Sequence, residues 1–383
     1  MIKQSLTWAS PLSFARSLYQ QKQDFILLYS SLNMGFSGNY SFLAFNPKNT
    51  ISAENMDKLE ALLTENKEKF ENAWFGYLGY GLKNSLENLP QDSAPFIKMP
   101  DSLMINFGII MVFDHLKKKC HVLAESQEEL ESNIPVSSPV IEENKVKIEF
   151  LSSNMSKNEY LKKVAMLLES IKNGDIYQAN LTRKFLGNFK SRPNGFELFV
   201  KLCKLSPSPY SSYIKYKDFE IISSSPERFL TIDKDGQTES RPIKGSAKRY
   251  KDKSKDQQSY ISLANSHKDK AENLMIVDLM RNDLSKTCIP STIKVSDLFQ
   301  ISSYSTIHHM SSTLEPCPMC AGAMFQSRIN RLVFGAKDLK WGAAGSVADL
   351  FSEKLFNHRI EVEYIKSKEC ESILREFFST LRK

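Results

Sequence analysis

No stretch of this sequence is apolar for long enough to cross a bilayer. The most apolar run, Met104 to Phe113, falls well short of the roughly 20 residues that a membrane helix needs, and it predicts a buried strand instead. The first residues, Met1 to Leu12, hold no apolar core of signal-peptide length. Neither export nor membrane insertion is expected. Cysteine is sparse as well: the six cysteines are scattered, apart from the close pair Cys317 and Cys320. That excludes a disulfide framework and implies a reducing, cytoplasmic setting. Internal repeats and low-complexity tracts are also missing.

What is there is an ordinary globular composition. With 41% hydrophobic and 25% charged residues, the chain has enough apolar material for a packed core. The net charge of +7 either favours anionic partners or is a solvated surface balance. A length of 383 residues predicts two or more structural units, because single cores stop growing before that size.

From Trp8 to about Ala124, short apolar runs alternate with polar turns and predict a large antiparallel sheet. Phe25 to Tyr29 and Trp74 to Tyr80 are examples. An acidic, proline-containing stretch from Glu125 to Glu143 reads as a linker. A helix follows. Ser156 and Glu159 have capping-box spacing, Leu161, Val164, Ala165, Leu168 and Ile171 share a face, and Gly174 ends it. A strand is expected over Ile176 to Phe185, and a hairpin about Asp235-Gly236 is expected to join Arg228–Ile232 to Thr238–Ile243. Lys268 to Leu284 predicts a second helix.

Four ordered segments carry more information: Asp175-Ile-Tyr-Gln-Ala-Asn-Leu-Thr-Arg183, Ser223-Ser-Ser-Pro-Glu-Arg-Phe229, Arg241-Pro-Ile-Lys-Gly-Ser246 and Ala271-Glu-Asn-Leu-Met-Ile-Val-Asp-Leu-Met-Arg-Asn-Asp283. Ser206-Pro-Ser-Pro-Tyr210 and Ile307-His-His-Met-Ser311 accompany them. From about Trp8 to Ser312 the chain resembles the chorismate-utilising enzymes of the anthranilate and aminodeoxychorismate synthase branch.

The resemblance implies specific roles. Glu272 matches the family's magnesium-binding glutamate, where the metal would clamp a substrate carboxylate. Glu227 matches an acid beside the leaving hydroxyl, and His309 a histidine that contacts the ring substituent. Taken alone, Glu272 reads equally as a surface helix carboxylate and Glu227 as a partner for Arg228. His308 has no matched role and reads as structural. Lys244 resembles the lysine of the aminodeoxychorismate synthase component I branch, where anthranilate synthases carry alanine. It is either a nucleophile that attacks the ring or a cation that neutralises a substrate carboxylate. The basic run Lys248 to Lys255 reads as a solvated loop. No glutaminase nucleophile elbow is present, so the resemblance implies a glutamine amidotransferase partner as a separate chain.

After Ser312 the pattern breaks. The family's Gly-x-Pro-Lys-type motif and its paired glutamates do not follow. The sequence continues with Thr313-Leu-Glu-Pro-Cys-Pro-Met-Cys-Ala-Gly-Ala-Met324, with Leu332-Val-Phe-Gly-Ala336 and Gly342-Ala-Ala-Gly345 after it. Residues 313–383 resemble the C-terminal half of bacterial tRNA adenosine deaminases. Zinc base deaminases combine His-x-Glu with a later Pro-Cys-x-x-Cys. Cys317 and Cys320 supply two zinc ligands, but His-x-Glu occurs nowhere in the chain, which leaves the zinc site incomplete.

The fold class expected is therefore α+β: a truncated anthranilate-synthase-like β-sheet sandwich with helices, then a partial α/β cytidine-deaminase-like fragment. The expected domains are an N-terminal sheet domain (residues 1–145), a C-terminally truncated chorismate-binding domain (146–312) and half of a deaminase domain (313–383). The function implied is amination of chorismate to 4-amino-4-deoxychorismate for 4-aminobenzoate and folate synthesis, impaired by the missing part of the site. The alternatives are a zinc-dependent tRNA adenosine deaminase fragment, with tRNA as its partner, or a non-catalytic chimeric product.

Overall fold

The computed structural model describes residues 2–34, 37–65, 73–86, 99–139, 148–176, 178–189, 193–232, 238–286, 299–311, 331–334 and 361–364. Two compact units emerge. The first is formed by Met1–Tyr29, Asn39–Leu205 and Ser212–Ser223, and the second by Ser30–Gly38, Ser206–Ser211 and Ser224–Lys383.

The first unit is built on one large sheet. In chain order its strands and helices are β1 (Ile2–Leu6), α1 (Pro11–Gln20), β2 (Phe25–Tyr29), β3 (Tyr40–Ala53), α2 (Met56–Glu65), β4 (Trp74–Leu78), β5 (Ser102–Asp114), β6 (Lys119–Ala124) and α3 (Gln127–Asn133). They continue with β7 (Ile148–Ser153), α4 (Lys157–Asn173), β8 (Phe185–Phe189), α5 (Gly195–Leu205), β9 (Tyr210–Tyr216) and β10 (Phe219–Ser225). The sheet order is β1-β6-β5-β3-β2-β9-β10, with β4 also paired to β5. β3 and β5 form the long antiparallel spine, from Tyr40 opposite Asp114 to Ala53 opposite Ser102. Its register shifts between Pro47 and Asn49, where proline cannot donate to the ladder and Asn46 adopts φ 62°.

Both faces of this sheet are covered, which explains the unbroken apolar runs. Phe25, Leu27, Leu43, Phe45, Ile109, Met111 and Phe113 point to one side, and Ile26, Ala44 and Ile110 to the other. On the first side α1 contributes Phe14, Ala15 and Leu18, and α5 contributes Phe196, Phe199, Val200 and Cys203. Both sets recur at helical spacing. Each large apolar side chain so buried contributes about 1.5–3 kcal/mol. A buried Arg16–Glu197 ion pair at 3.1 Å joins the same two helices.

α4 forms as expected. The Ser156–Glu159 capping box is closed in both directions, and Gly174 ends the helix in the left-handed conformation at φ 82°. Its apolar stripe is not covered, however: among the described residues Leu161 is 52% exposed, Leu168 61% and Ile171 39%. The strand expected over Ile176 to Phe185 does not form in its described part; β8 begins only at Phe185 and pairs with β7. Among the described residues no strand pairs with residues 178–184.

His115 sits beside the main sheet, with its Nε2 2.7 Å from Ser41 Oγ and its ring against Trp8 and Tyr29. Burial pushes its pKa below the usual value, with Lys118 helping and Asp114 opposing. The unfolded chain therefore binds a proton that the fold resists, and stability is lost as pH falls from about 6.5 through the depressed value. Thermal unfolding of His115→Gln should decline less between about pH 7 and pH 5 than that of the parent chain. Equal slopes would reject this source of acid sensitivity.

The second unit contains β11 (Thr231–Ile232), β12 (Thr238–Glu239), β13 (Ser246–Lys248), α6 (Lys253–Ala264), α7 (His267–Ser285), β14 (Gln300–Ser303), β15 (Ile307–Ser311), β16 (Arg331–Phe334) and β17 (Glu361–Tyr364). β11 and β12 pair antiparallel through Thr231–Glu239 and Ile232–Thr238. They are shorter than the hairpin arms expected, and Asp235-Gly236 lies outside the described residues. α7 matches the expected second helix within a residue at each end and is capped by Ser266. Residues 30–38 belong here because Ser208 O accepts from the backbone N–H of Ser31 and of Leu32, and Ser31 Oγ accepts from Ser208 N. In the C-terminal part, β16 and β17 form a parallel pair.

Candidate functional site

The second unit gathers the expected site around a three-stranded sheet, β13-β15-β14. β15 holds Ile307-His-His-Met-Ser311, and strand alternation sends its neighbours to opposite faces. His308 and Met310 are buried. His308 Nδ1 lies 2.8 Å from Ser303 Oγ and its Nε2 3.4 Å from Asp256, with the Tyr260 ring edge-on. Asp256 is held by Arg249, whose Nε reaches both carboxylate oxygens at 2.9 Å. Arg249 and the Tyr250 N–H keep that carboxyl below the usual range. These contacts give His308 the structural place expected for it.

His309 faces the other way, paired across the sheet with Ser246 and Ser302. Its Nδ1 is 2.8 Å from Ser246 Oγ, and Tyr304 meets its ring edge-on at 5.2 Å. Burial lowers its pKa, which favours the neutral imidazole.

Lys244 lies in the loop that enters β13. Its N–H donates to Met310 O at 3.3 Å, and Gly245 follows at φ 85°. A β-carbon there would come 2.9 Å from the Asp269 β-carbon, so both conformation and space require glycine. One residue earlier, Ile243 N donates to Glu227 Oε1 at 3.1 Å. Glu227 thus sits next to the lysine loop. Arg228 does not pair with it: both Arg228 and Arg241 converge on Glu239. A cleft in this unit is lined by Glu227, Arg228, Arg241, Ile243, Tyr304 and His309, among others. The Tyr304 hydroxyl donates to Pro226 O at 3.3 Å. Burial raises its pKa, and Tyr210 and Glu227 add to the rise.

Glu272 is half-buried on α7. The next residue, Asn273, reaches both the lysine loop and β15: its Nδ2 donates to Met310 O at 2.7 Å and to Lys244 O at 3.4 Å. Backbone contacts therefore bring Glu227, Lys244 and His309 into one neighbourhood, with Glu272 one residue from a side chain that touches two of these segments. A carboxylate suits magnesium, yet among the described residues no group of three or more metal-ligating side chains exists. Those residues do not by themselves make a magnesium site. Cys317 and Cys320 lie outside the described residues. Sequence reasoning missed Ser246, Asn273 and Tyr304; only their adjacency to Lys244, Glu272 and the histidine strand marks them.

No helix among the described residues is long and apolar enough to cross a membrane. Comparison with known proteins locates the chain further. Residues 15–316 match the family of chorismate binding enzymes, and residues 308–382 match the MafB19-like deaminase family. Aminodeoxychorismate synthase component 1 of Salmonella typhimurium is 32% identical over 64% of this chain and 54% of its own length. The Escherichia coli protein of that name is 31% identical over 68% of this chain and 57% of its own. Anthranilate synthase component 1 of Saccharolobus solfataricus is 32% identical over 63% of this chain and 55% of its own. The chain thus spans just over half the length of these relatives. Among solved structures, anthranilate synthase component I from Streptococcus pneumoniae superposes with a TM-score of 0.57 at 22% identity, covering 75% of this chain and 72% of that one. The fold is accordingly α+β and anthranilate-synthase-like, with a deaminase-family segment at its C-terminal end. The chain belongs to the chorismate binding enzyme family.

Proposed function

We propose that residues up to about 312 act on chorismate in the manner of aminodeoxychorismate synthase component I, replacing the 4-hydroxyl by an amino group. The single observation that carries this reading is the Lys244 loop, tied to Glu227 through Ile243 N and to the His309 strand through Met310 O. Lys244, as the free amine, attacks the ring and forms a C–N bond while the ring double bonds shift. The hydroxyl leaves as water with a proton from Glu227, and the lysine nitrogen gives up one proton. Ammonia then adds and expels the lysine amine. The net change is chorismate plus ammonia to the 4-amino product plus water. Neutral His309 holds the departing ring substituent by a hydrogen bond.

Ammonia comes from a separate glutamine amidotransferase chain, and the setting is cytoplasmic. The working domains are residues 1–145, 146–312 and 313–383. Magnesium would be held at Glu272 and clamp a substrate carboxylate, but the family's paired glutamates do not follow Ser312, so the ion would be weakly bound and turnover by this chain should lie at least about 10²-fold below that of a full-length relative. Given chorismate, magnesium and ammonium, the chain should slowly form 4-amino-4-deoxychorismate. Anthranilate as the main product would sink the branch assignment.

The deaminase-family match supports a second reading for residues 313–383, that of a tRNA adenosine deaminase fragment. Cys317 and Cys320 provide two of the three protein ligands that catalytic zinc takes, and no His-x-Glu supplies the third ligand or the proton-shuttling glutamate. Zinc should therefore be stripped by a mild chelator, and no inosine should form in tRNA. Stoichiometric, chelator-resistant zinc measured by metal analysis would overturn that expectation.

A further inference from the structure

Asn273 is wholly buried on α7, one residue beyond Glu272. Its amide orientation is dictated by its neighbours: Nδ2 faces the carbonyl oxygens of Met310 and Lys244, and the flipped amide would set an acceptor against two acceptors. Met310 O also accepts from Lys244 N, so one carbonyl is shared by helix and loop. The Asn273 Oδ1 has no hydrogen-bond partner among the described residues. Burying an amide half-satisfied is unfavourable, and apolar packing does not require it. What the amide does is join three segments, namely the lysine loop, the strand after His309 and the helix that carries Glu272.

We infer that Asn273 is the positioning residue for Lys244. It fixes the Lys244 carbonyl just before the left-handed turn at Gly245, and so sets where the lysine side chain leaves the loop. Because α7 makes the tie, the lysine and Glu272 keep a constant separation. This rests on the reading of Lys244 as nucleophile. A nucleophile misplaced by about an ångström loses reactivity on the order of 10²-fold without losing its substrate. The signature of positioning is thus a fall in rate at saturating chorismate with little change in the half-saturating concentration.

The test uses the full chain and its Asn273→Ala and Asn273→Asp variants, given chorismate and magnesium without ammonia. Peptide mass spectrometry follows growth of a Lys244 adduct equal to chorismate less one water. Hydrogen exchange follows the amides of residues 241–247. Asn273→Asp keeps the shape while losing the donor when ionised, and it serves if the alanine variant fails to fold. Both folded variants should form adduct at least about tenfold more slowly, with half-saturation changed by less than about threefold. Amide protection should fall in residues 241–247 and stay unchanged in the main sheet. An adduct rate within about threefold of the parent in a folded variant would overturn the inference. If the parent chain itself forms no adduct, the nucleophile reading fails, and exchange decides alone: protection lost at 241–247 supports the tie, and protection retained overturns it.

Discussion

Replacing Lys244 by alanine is expected to abolish adduct formation and to lower amination by at least about 10³-fold, because a covalent nucleophile has no substitute in the site. The fold should survive. The contacts seen at this position run through the backbone, from Lys244 N to Met310 O and from Asn273 Nδ2 to Lys244 O, and alanine keeps both. Lys244→Arg separates the two roles open to this lysine. Arginine keeps the positive charge but does not shed a proton at accessible pH. If Lys244 merely neutralises a substrate carboxylate, the arginine chain retains most of its chorismate turnover. If it is the nucleophile, arginine and alanine are equally inactive. Steady-state rates with ammonium, alongside intact-protein mass, distinguish the outcomes.

The parts of the fold legible in sequence were those decided by local physics. The α4 helix follows from a serine that accepts from the Glu159 N–H, a glutamate that reaches back, and a glycine free to take positive φ. β5 follows from a run too apolar for any surface. Legibility ended where the partner of a residue is distant in sequence. Residues 178–184 have strand-like alternation, but among the described residues no strand lies beside them to pair with. Conversely, α1, α2, α3, α5 and α6 are not predicted, α3 forming inside the stretch read as a linker, although Phe14, Ala15 and Leu18 in α1 have helical spacing. The same limit governs the site. Glu227, Lys244, Glu272 and His309 were readable because each lies in a long motif. Asn273 and Ser246 matter through contacts 37 and 63 residues away, which spacing cannot reveal.

Phe196→Ala should destabilise the first unit by about 3–5 kcal/mol, a large part of the roughly 5–15 kcal/mol that holds a domain folded. Phe196 is fully buried, and its ring meets those of Tyr19 at 5.9 Å, Phe25 at 6.3 Å, Phe199 at 6.3 Å and Tyr213 at 5.5 Å. These rings belong to two helices and two strands, so truncation opens a cavity that no single element can close by shifting. The matched control is Leu168→Ala on α4. With 61% of Leu168 exposed, its truncation should move stability by no more than about 0.5 kcal/mol. Urea unfolding of both variants makes the comparison. A small loss for Phe196→Ala would mean that the aromatic cluster is not the core of this unit. A loss above about 2 kcal/mol for Leu168→Ala would mean that the α4 stripe is covered in solution, because only a buried leucine costs that much to truncate.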